Sequence, residues 1–206
     1  MKTQAILGAA VIGMIALSAF TGKQTDVYKA DTKLSSVEWF AEKVGGKHNG
    51  TILLSSGEIK SDKGKLSGNF EVDMSSIANK DMQGEWAAKL EGHLKSADFF
   101  DAAKFPTAKF ATTSITPIKD AKAGGFTHTV KGNLTIKDKT NEIVFDAVIK
   151  AEGNNMVVVG TATVDRSKFD IKYGSKSFFP EIGDKMINDE FTVKFNLVAT
   201  KNIISE

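Results

Sequence analysis

The chain has 206 residues, with 27 lysines and arginines against 25 aspartates and glutamates, a formal charge of +2 and no cysteine. So even a balance argues against nucleic acid or an anionic membrane surface as a partner. The absence of thiols excludes disulfides, thiolate metal sites, cysteine nucleophiles and lipid attachment through an N-terminal cysteine.

Lys2, the apolar run Ala5 to Ala19 and the small residues of Ala19-Phe20-Thr21 read as a signal peptide over residues 1–22. The run is short of the roughly 20 residues that a membrane-spanning helix needs. The mature chain, residues 23–206, is thus expected in the periplasm or outside the cell, with no integral membrane segment and only burial to hold it together. Gly22 to Ala30 reads as a polar lead-in. Ser35 to Val44 is the first strand, with Val37, Trp39 and Ala41 on one face, and Gly45-Gly46 breaks it. In Lys47-His48-Asn49-Gly50 the Asn-Gly pair is either a hairpin turn or a glycine kink inside one strand. Beyond the Lys63-Gly64 turn, Leu66, Gly68, Phe70, Val72 and Met74 alternate with polar residues, the period of a half-buried strand.

The next segment alone looks helical. Met82, Trp86, Leu90 and Leu94 recur at i+4, Asn79 or Asp81 offers a cap, and Gly84 and Gly92 weaken the helix. Trp86, Leu90 and Leu94 are expected to be buried against the strands. The stretch from Glu91 to Phe110 then gathers Phe99, Phe100, Phe105 and Phe110. Asp98 suits the cap of a short helical turn, which must end by Phe105 because Pro106 disfavours the α region before it.

From Thr107 strands resume, with Phe110, Thr112 and Ser114 on one face. Phe126 to Leu134, Ile143 to Ile149, Met156 to Val164 and Phe191 to Ala199 follow, most of them at period two. A loop-rich region, Asp165 to Asn188, carries Phe169, Ile171, Phe178 and Phe179. About eight strands joined by short turns make one all-β antiparallel domain, either a sandwich or a barrel. Of 14 phenylalanines, four fall in residues 99–110 and three in residues 169–179. Rings concentrated in two connections suit a satellite core or the wall of an apolar cavity.

Catalytic and metal chemistry find little support. His48, His93 and His128 lie on different elements without metal-ligand spacing, and no Gly-x-Ser-x-Gly elbow is present. No metal, cofactor or catalytic residue is expected. Arg166 is the only arginine, and near buried rings it needs a carboxylate partner, Asp184 or Asp165.

The stretch His93-Leu-Lys-Ser-Ala-Asp-Phe-Phe-Asp-Ala-Ala-Lys-Phe-Pro-Thr-Ala-Lys-Phe110 closely resembles the signature of the YceI-like family. So do Lys47-His48-Asn49-Gly50, Val130-Lys-Gly-Asn-Leu-Thr-Ile136, Asp165-Arg-Ser-Lys-Phe-Asp-Ile171 and Ile182-Gly-Asp184, in the family's order. The resemblance implies an eight-stranded antiparallel lipocalin-like barrel with one helical insertion, an exported protein, and a long polyisoprenoid or isoprenoid quinone held in an internal pocket. One departure is Phe169-Asp170, where the family often has Phe-Gly. On this reading the domain is a non-enzymatic carrier; the alternative is a hydrolase or isomerase acting on a lipid in the same cavity. If the sheet closes, Trp39, Phe70, Leu94, Phe99, Phe100, Phe110, Phe145, Phe169 and Ile171 converge as the cavity wall. His93 would offer one hydrogen bond to a quinone oxygen at the mouth. A homodimer is left open.

Overall fold

A computed structural model describes residues 25–202, so the expected signal peptide lies outside the described residues. The strands are β1 (Asp26–Ala30), β2 (Ser36–Lys43), β3 (Gly46–Asp62), β4 (Lys65–Asn79), β5 (Thr107–Pro117), β6 (His128–Ile136), β7 (Lys139–Glu152), β8 (Asn155–Asp165) and β9 (Ile187–Lys201). One α-helix, α1 (Gly84–Lys95), sits between β4 and β5.

Nine strands fill eight positions. Both β1 and β2 lie between β3 and β9: Tyr28 stands opposite Ile59 and Lys201, and Trp39 opposite Gly50 and Val193. They are one edge-to-edge strand interrupted at Asp31, whose Oδ1 accepts the N–H groups of Lys33 and Leu34 at 2.8 and 3.1 Å. Pairing of β3 with β4 completes the ring, giving a closed eight-stranded antiparallel barrel. The lead-in expected to be irregular is therefore partly strand. Five residues show too little period to be recognised, and pairing on both edges supplies what the local sequence does not.

Alternation predicts the inward faces of β4, β7 and β9 well and fails where a strand bulges. The register of β5 against β6 shifts between Thr112 and Ser114. The extra residue turns Ser114 outward and brings Ile115 onto the inner wall, against the expectation that Ser114 shares a face with Phe110. Asn49-Gly50 is no hairpin, since β3 runs straight through it. Gly50 is buried beneath the Trp39 ring.

The helix departs from expectation in two ways. Gln83 occupies the N-cap with no side-chain bond. Asn79 and Asp81 serve elsewhere, accepting the Met82 N–H at 2.7 Å and the Asn49 N–H at 2.8 Å respectively. Leu90 and Leu94 are half-buried, but Trp86 is 68% exposed with Lys89 Nζ 4.9 Å above its ring. The reason is geometric: a strict i+4 row drifts about 40° around the helix per step, so its early members rotate off the packed face. Asp98 does not cap a helical turn either. Residues 96–105 form two successive turns, in which Ser96 O accepts from Phe99 and Asp101, and Asp101 O from Lys104 and Phe105. Asp101 makes the join at φ 48°.

Candidate functional site

The inward side chains of the barrel enclose two adjoining cavities along its axis. The lower, of about 150 Å³, is lined by Leu66, Phe70, Phe110, Phe145, Val158, Phe195 and their neighbours. The upper, of about 330 Å³, is lined by Trp39, Ile52, Met74, Leu90, Leu94, Phe99, Phe100 and Phe191 beneath α1. Leu134, Val164 and Val193 line both and form the waist between them.

The rings keep to the wall because glycines face them. Phe195 lies where a Cβ on Gly160 would stand, 2.6 Å from Cζ, and Phe110 lies likewise over Gly132 at 2.5 Å. Phe70 occupies the corresponding space at Gly57 and Gly68, 2.7 and 2.9 Å from the would-be Cβ. Phe145 links two of these rings, with centroids 5.5 Å from Phe110 and 5.4 Å from Phe195. Such tilted and edge-on pairs are the favoured aromatic geometries.

Eight of the ten residues read from the sequence as ligand contacts stand on these walls. Phe70, Phe110 and Phe145 line the lower cavity, and Trp39, His93, Leu94, Phe99 and Phe100 the upper. Phe169 and Ile171 line neither: at 1% and 0% exposure they pack with Met74, Phe99 and Val164. Sequence reasoning missed the waist, and also Phe191 and Phe195, although both lie on the alternating face of β9 that contains Val193.

Polar groups gather at one side of the upper cavity. Exposed Glu42 and Lys43 sit on its lining with His48 and Asn188, so this edge meets solvent. His48 Nδ1 is 2.9 Å from Asp81 Oδ2. Two nitrogens on the lining residues, Trp39 Nε1 and His93 Nε2, are shielded from solvent and have no hydrogen-bond partner. The His93 ring packs edge-on against Tyr173 at 4.4 Å and Phe99 at 5.7 Å. His128 lies apart on β6, its Nδ1 2.8 Å from Thr127 Oγ1, and burial holds its pKa below the ordinary histidine value. Among the described residues no three histidine, aspartate or glutamate side chains group as metal ligands.

Arg166 is 2% exposed and forms the floor under Phe99, its Cζ 5.4 Å from the ring centroid. Its Nε donates to Asn188 O at 3.0 Å, Nη1 to Ile171 O at 3.0 Å and Tyr173 O at 2.8 Å, and Nη2 to Ile187 O at 2.9 Å. Its carboxylate partner is Asp189, at 3.3 Å, instead of the expected Asp184 or Asp165. Asp165 accepts from Ser167 N at 3.0 Å, capping the short 3-10 turn Arg166–Phe169. Burial pushes the Asp189 carboxyl up, but the hydrogen bond it accepts from Ser177 Oγ at 2.6 Å and the Arg166 charge outweigh it and hold the pKa below the ordinary aspartate value. Asp170 closes that turn at φ 58° in the left-handed region. It is exposed and lines a surface cleft outside the two cavities.

No helix among the described residues is long and apolar enough to cross a membrane. The sequence model of the YceI-like domain matches residues 28–199. Among curated proteins, a UPF0312 protein of Pseudomonas fluorescens is 34% identical over 88 residues, 40% of this chain and 44% of that relative. One from Staphylococcus aureus is 32% identical over 120 residues, 55% of this chain and 61% of that relative. These alignments thus span less than two thirds of the curated relatives they match. Of solved structures, Burkholderia cenocepacia BcnA superposes with a TM-score of 0.64 at 25% identity, covering 83% of this chain and 99% of that one. A polyisoprenoid binding domain from Saccharophagus degradans gives 0.58 at 11% identity over 85% and 98%, a likeness of fold alone.

Proposed function

The chain belongs to the YceI-like domain family, and from that premise we propose that it is a non-enzymatic carrier of a long apolar lipid, a polyisoprenoid or isoprenoid quinone. The observation that carries this reading is the pair of adjoining cavities along the barrel axis, walled almost wholly by apolar side chains. Eight-stranded barrels are commonly filled by their own side chains or hold one small ligand. The upper cavity alone reaches the lower end of ligand-pocket volumes, roughly 300–1,000 Å³. A chain of isoprene units presents apolar surface only. Its affinity would come from buried area, at about 25 cal/mol per Å² before the costs of binding. The name of the Saccharophagus relative, a polyisoprenoid binding domain, agrees with that choice of ligand. The wall we assign to the ligand is Phe70, Phe110 and Phe145 below and Trp39, Leu94, Phe99 and Phe100 above. Export through cleavage of residues 1–22 belongs to the same proposal and rests on the Ala5 to Ala19 run.

Native purification followed by organic extraction and mass spectrometry tests the reading. An isoprenoid recovered in stoichiometric amount, unchanged after prolonged incubation, is the expected result. Recovery of no lipid, even after incubation with isoprenoid vesicles, would overturn it. Conversion of an added lipid to product would favour the enzyme instead.

A further inference from the structure

We propose that the lower cavity has a second opening, a slit in the wall between β4 and β5, through which the far end of a long linear isoprenoid leaves the barrel. The inference rests on the carrier reading and extends it to the length of lipid accepted. β4 and β5 pair from Asp73 opposite Thr107 to Asn69 opposite Ala111, and no further. Below that point β4 runs on through residues 65–68, still paired with β3, and β5 through residues 112–117, still paired with β6. Two local features part them. A bulge after Thr112 bends β5. The Gly68 N–H then goes to Thr112 Oγ1 at 2.8 Å, in place of a main-chain carbonyl. Among the described residues no other hydrogen bond crosses the gap. Backbone groups left facing such a gap have to be met by water, so this part of the wall is not sealed.

The gap coincides with the lower cavity. Leu66 and Gly68 on one edge and Thr112 and Ile115 on the other all line it. Leu66 and Ile115 are half-buried, and Gly68 has no side chain to block the way. Another seam shows how this chain closes such a gap. β7 and β8 likewise stop pairing at Ala147 and Gly160, short of their upper ends. There the turn Arg166–Phe169 covers the opening: Asn141 Nδ2 of β7 donates to Lys168 O at 2.8 Å, and buried Phe169 packs with Val164 of β8. Length makes the exit matter. β6 has nine residues, so at about 3.3 Å each and a tilt of about 40° the wall is roughly 23 Å high. A long polyisoprenoid outruns that height when extended. A lower cavity of about 150 Å³ leaves its surplus units no room to fold back. The slit, edged by Leu66 and Ile115, gives them an apolar way out.

The test uses the full mature chain, in which introduced thiols are the only ones because cysteine is absent. Ser67→Cys and Ser114→Cys put exposed thiols on opposite edges of the slit, and a bis-maleimide joins them. Thr161→Cys and Lys194→Cys, exposed and directly opposed on β8 and β9, are stapled as the control. The probes are linear polyprenols of increasing length, with affinity read by native mass spectrometry. The unstapled protein and the control should hold long chains as tightly as those that just fill the barrel. Stapling the slit should leave short chains unaffected and weaken long ones roughly tenfold or more. A nitroxide on the far end of a long chain, bound to the protein without substitutions, should broaden the amide signals of Thr113 and Ser114 above all others. Identical length profiles with and without the slit staple, or broadening centred on the upper mouth or inside the barrel, overturn the inference and leave the carrier standing. Rejection of long chains by the unstapled protein overturns it as well. Binding of no polyprenol brings down the carrier reading and this one together.

Discussion

Replacing Arg166 by methionine should destabilise the protein more than any change at the cavity wall. The guanidinium is buried, and five groups depend on it: the carbonyls of Ile171, Tyr173, Ile187 and Asn188, and the carboxylate of Asp189. Ile171 and Tyr173 lie in the connection between β8 and β9, and Ile187, Asn188 and Asp189 are the first three residues of β9, so one side chain ties that connection to the barrel. Removing one partner of a buried ion pair costs about 3–5 kcal/mol, since the other charge stays behind unpaired. For a domain of this size that lowers the melting temperature by about 10 °C. Lysine at the same position should rescue little, because a point charge does not reach four carbonyls set around a planar fork. Thermal and urea unfolding followed by circular dichroism measure this directly, with lipid capture assayed on the same samples. An unchanged melting temperature together with lost capture would refute the argument and make Arg166 a ligand contact.

Four other outcomes follow from the same geometry. Phe110→Asp should abolish lipid capture while leaving a folded barrel by circular dichroism, because an unpaired carboxylate would face the apolar lower cavity. Gly160→Ala should push the Phe195 ring off the wall, since the new Cβ would stand 2.6 Å from Cζ, and should shift retained lipids towards shorter chains by mass spectrometry. Asp170→Gly should stabilise by about 1 kcal/mol in urea unfolding, because glycine adopts the left-handed region without the cost that a Cβ brings. Asp189 is held below its ordinary pKa, so the stability it contributes is present above the ordinary aspartate range and lost as pH falls through the lowered value. Asp189→Asn should flatten that part of the acid-unfolding curve.

The strands whose inner residues alternate strictly were legible. Leu66 to Met74 and Phe191 to Ala199 could be assigned to a face from period alone, and the structure puts them there. What escaped was set by partners, not by local sequence. β1 exists because β3 and β9 pair with it on both sides. Ile115 turns inward because a bulge adds one residue against β6. Trp86 shares an i+4 row with Leu90 and Leu94, yet that row winds off the packed face. At the site, large rings announced apolar walls, but Leu134, Val164 and Val193 form the waist by position alone and carry no signal of their own. The carboxylate of Arg166 was misassigned for a related reason. Sequence neighbours such as Asp165 are the natural candidates, whereas the loop returns Asp189 from over twenty residues away.

The glycines explain why this barrel is hollow at all. Eight strands enclose a space that bulky inward side chains ordinarily fill, and this interior carries phenylalanines in abundance. Each of Phe70, Phe110 and Phe195 lies over an inward glycine of a neighbouring strand or of its own, in space that a Cβ would occupy. The ring then stays against the sheet and does not cross the axis, and the volume gained on the axis is the lower cavity. The Trp39 ring, over Gly50, repeats the arrangement in the upper one. Glycine inside a strand weakens it, by loss of packing and by backbone entropy. Inward glycines at Gly57, Gly68, Gly132 and Gly160 therefore lower intrinsic strand stability in return for room along the axis. A sequence under selection for stability alone would fill those positions with alanine or valine and close the barrel on itself.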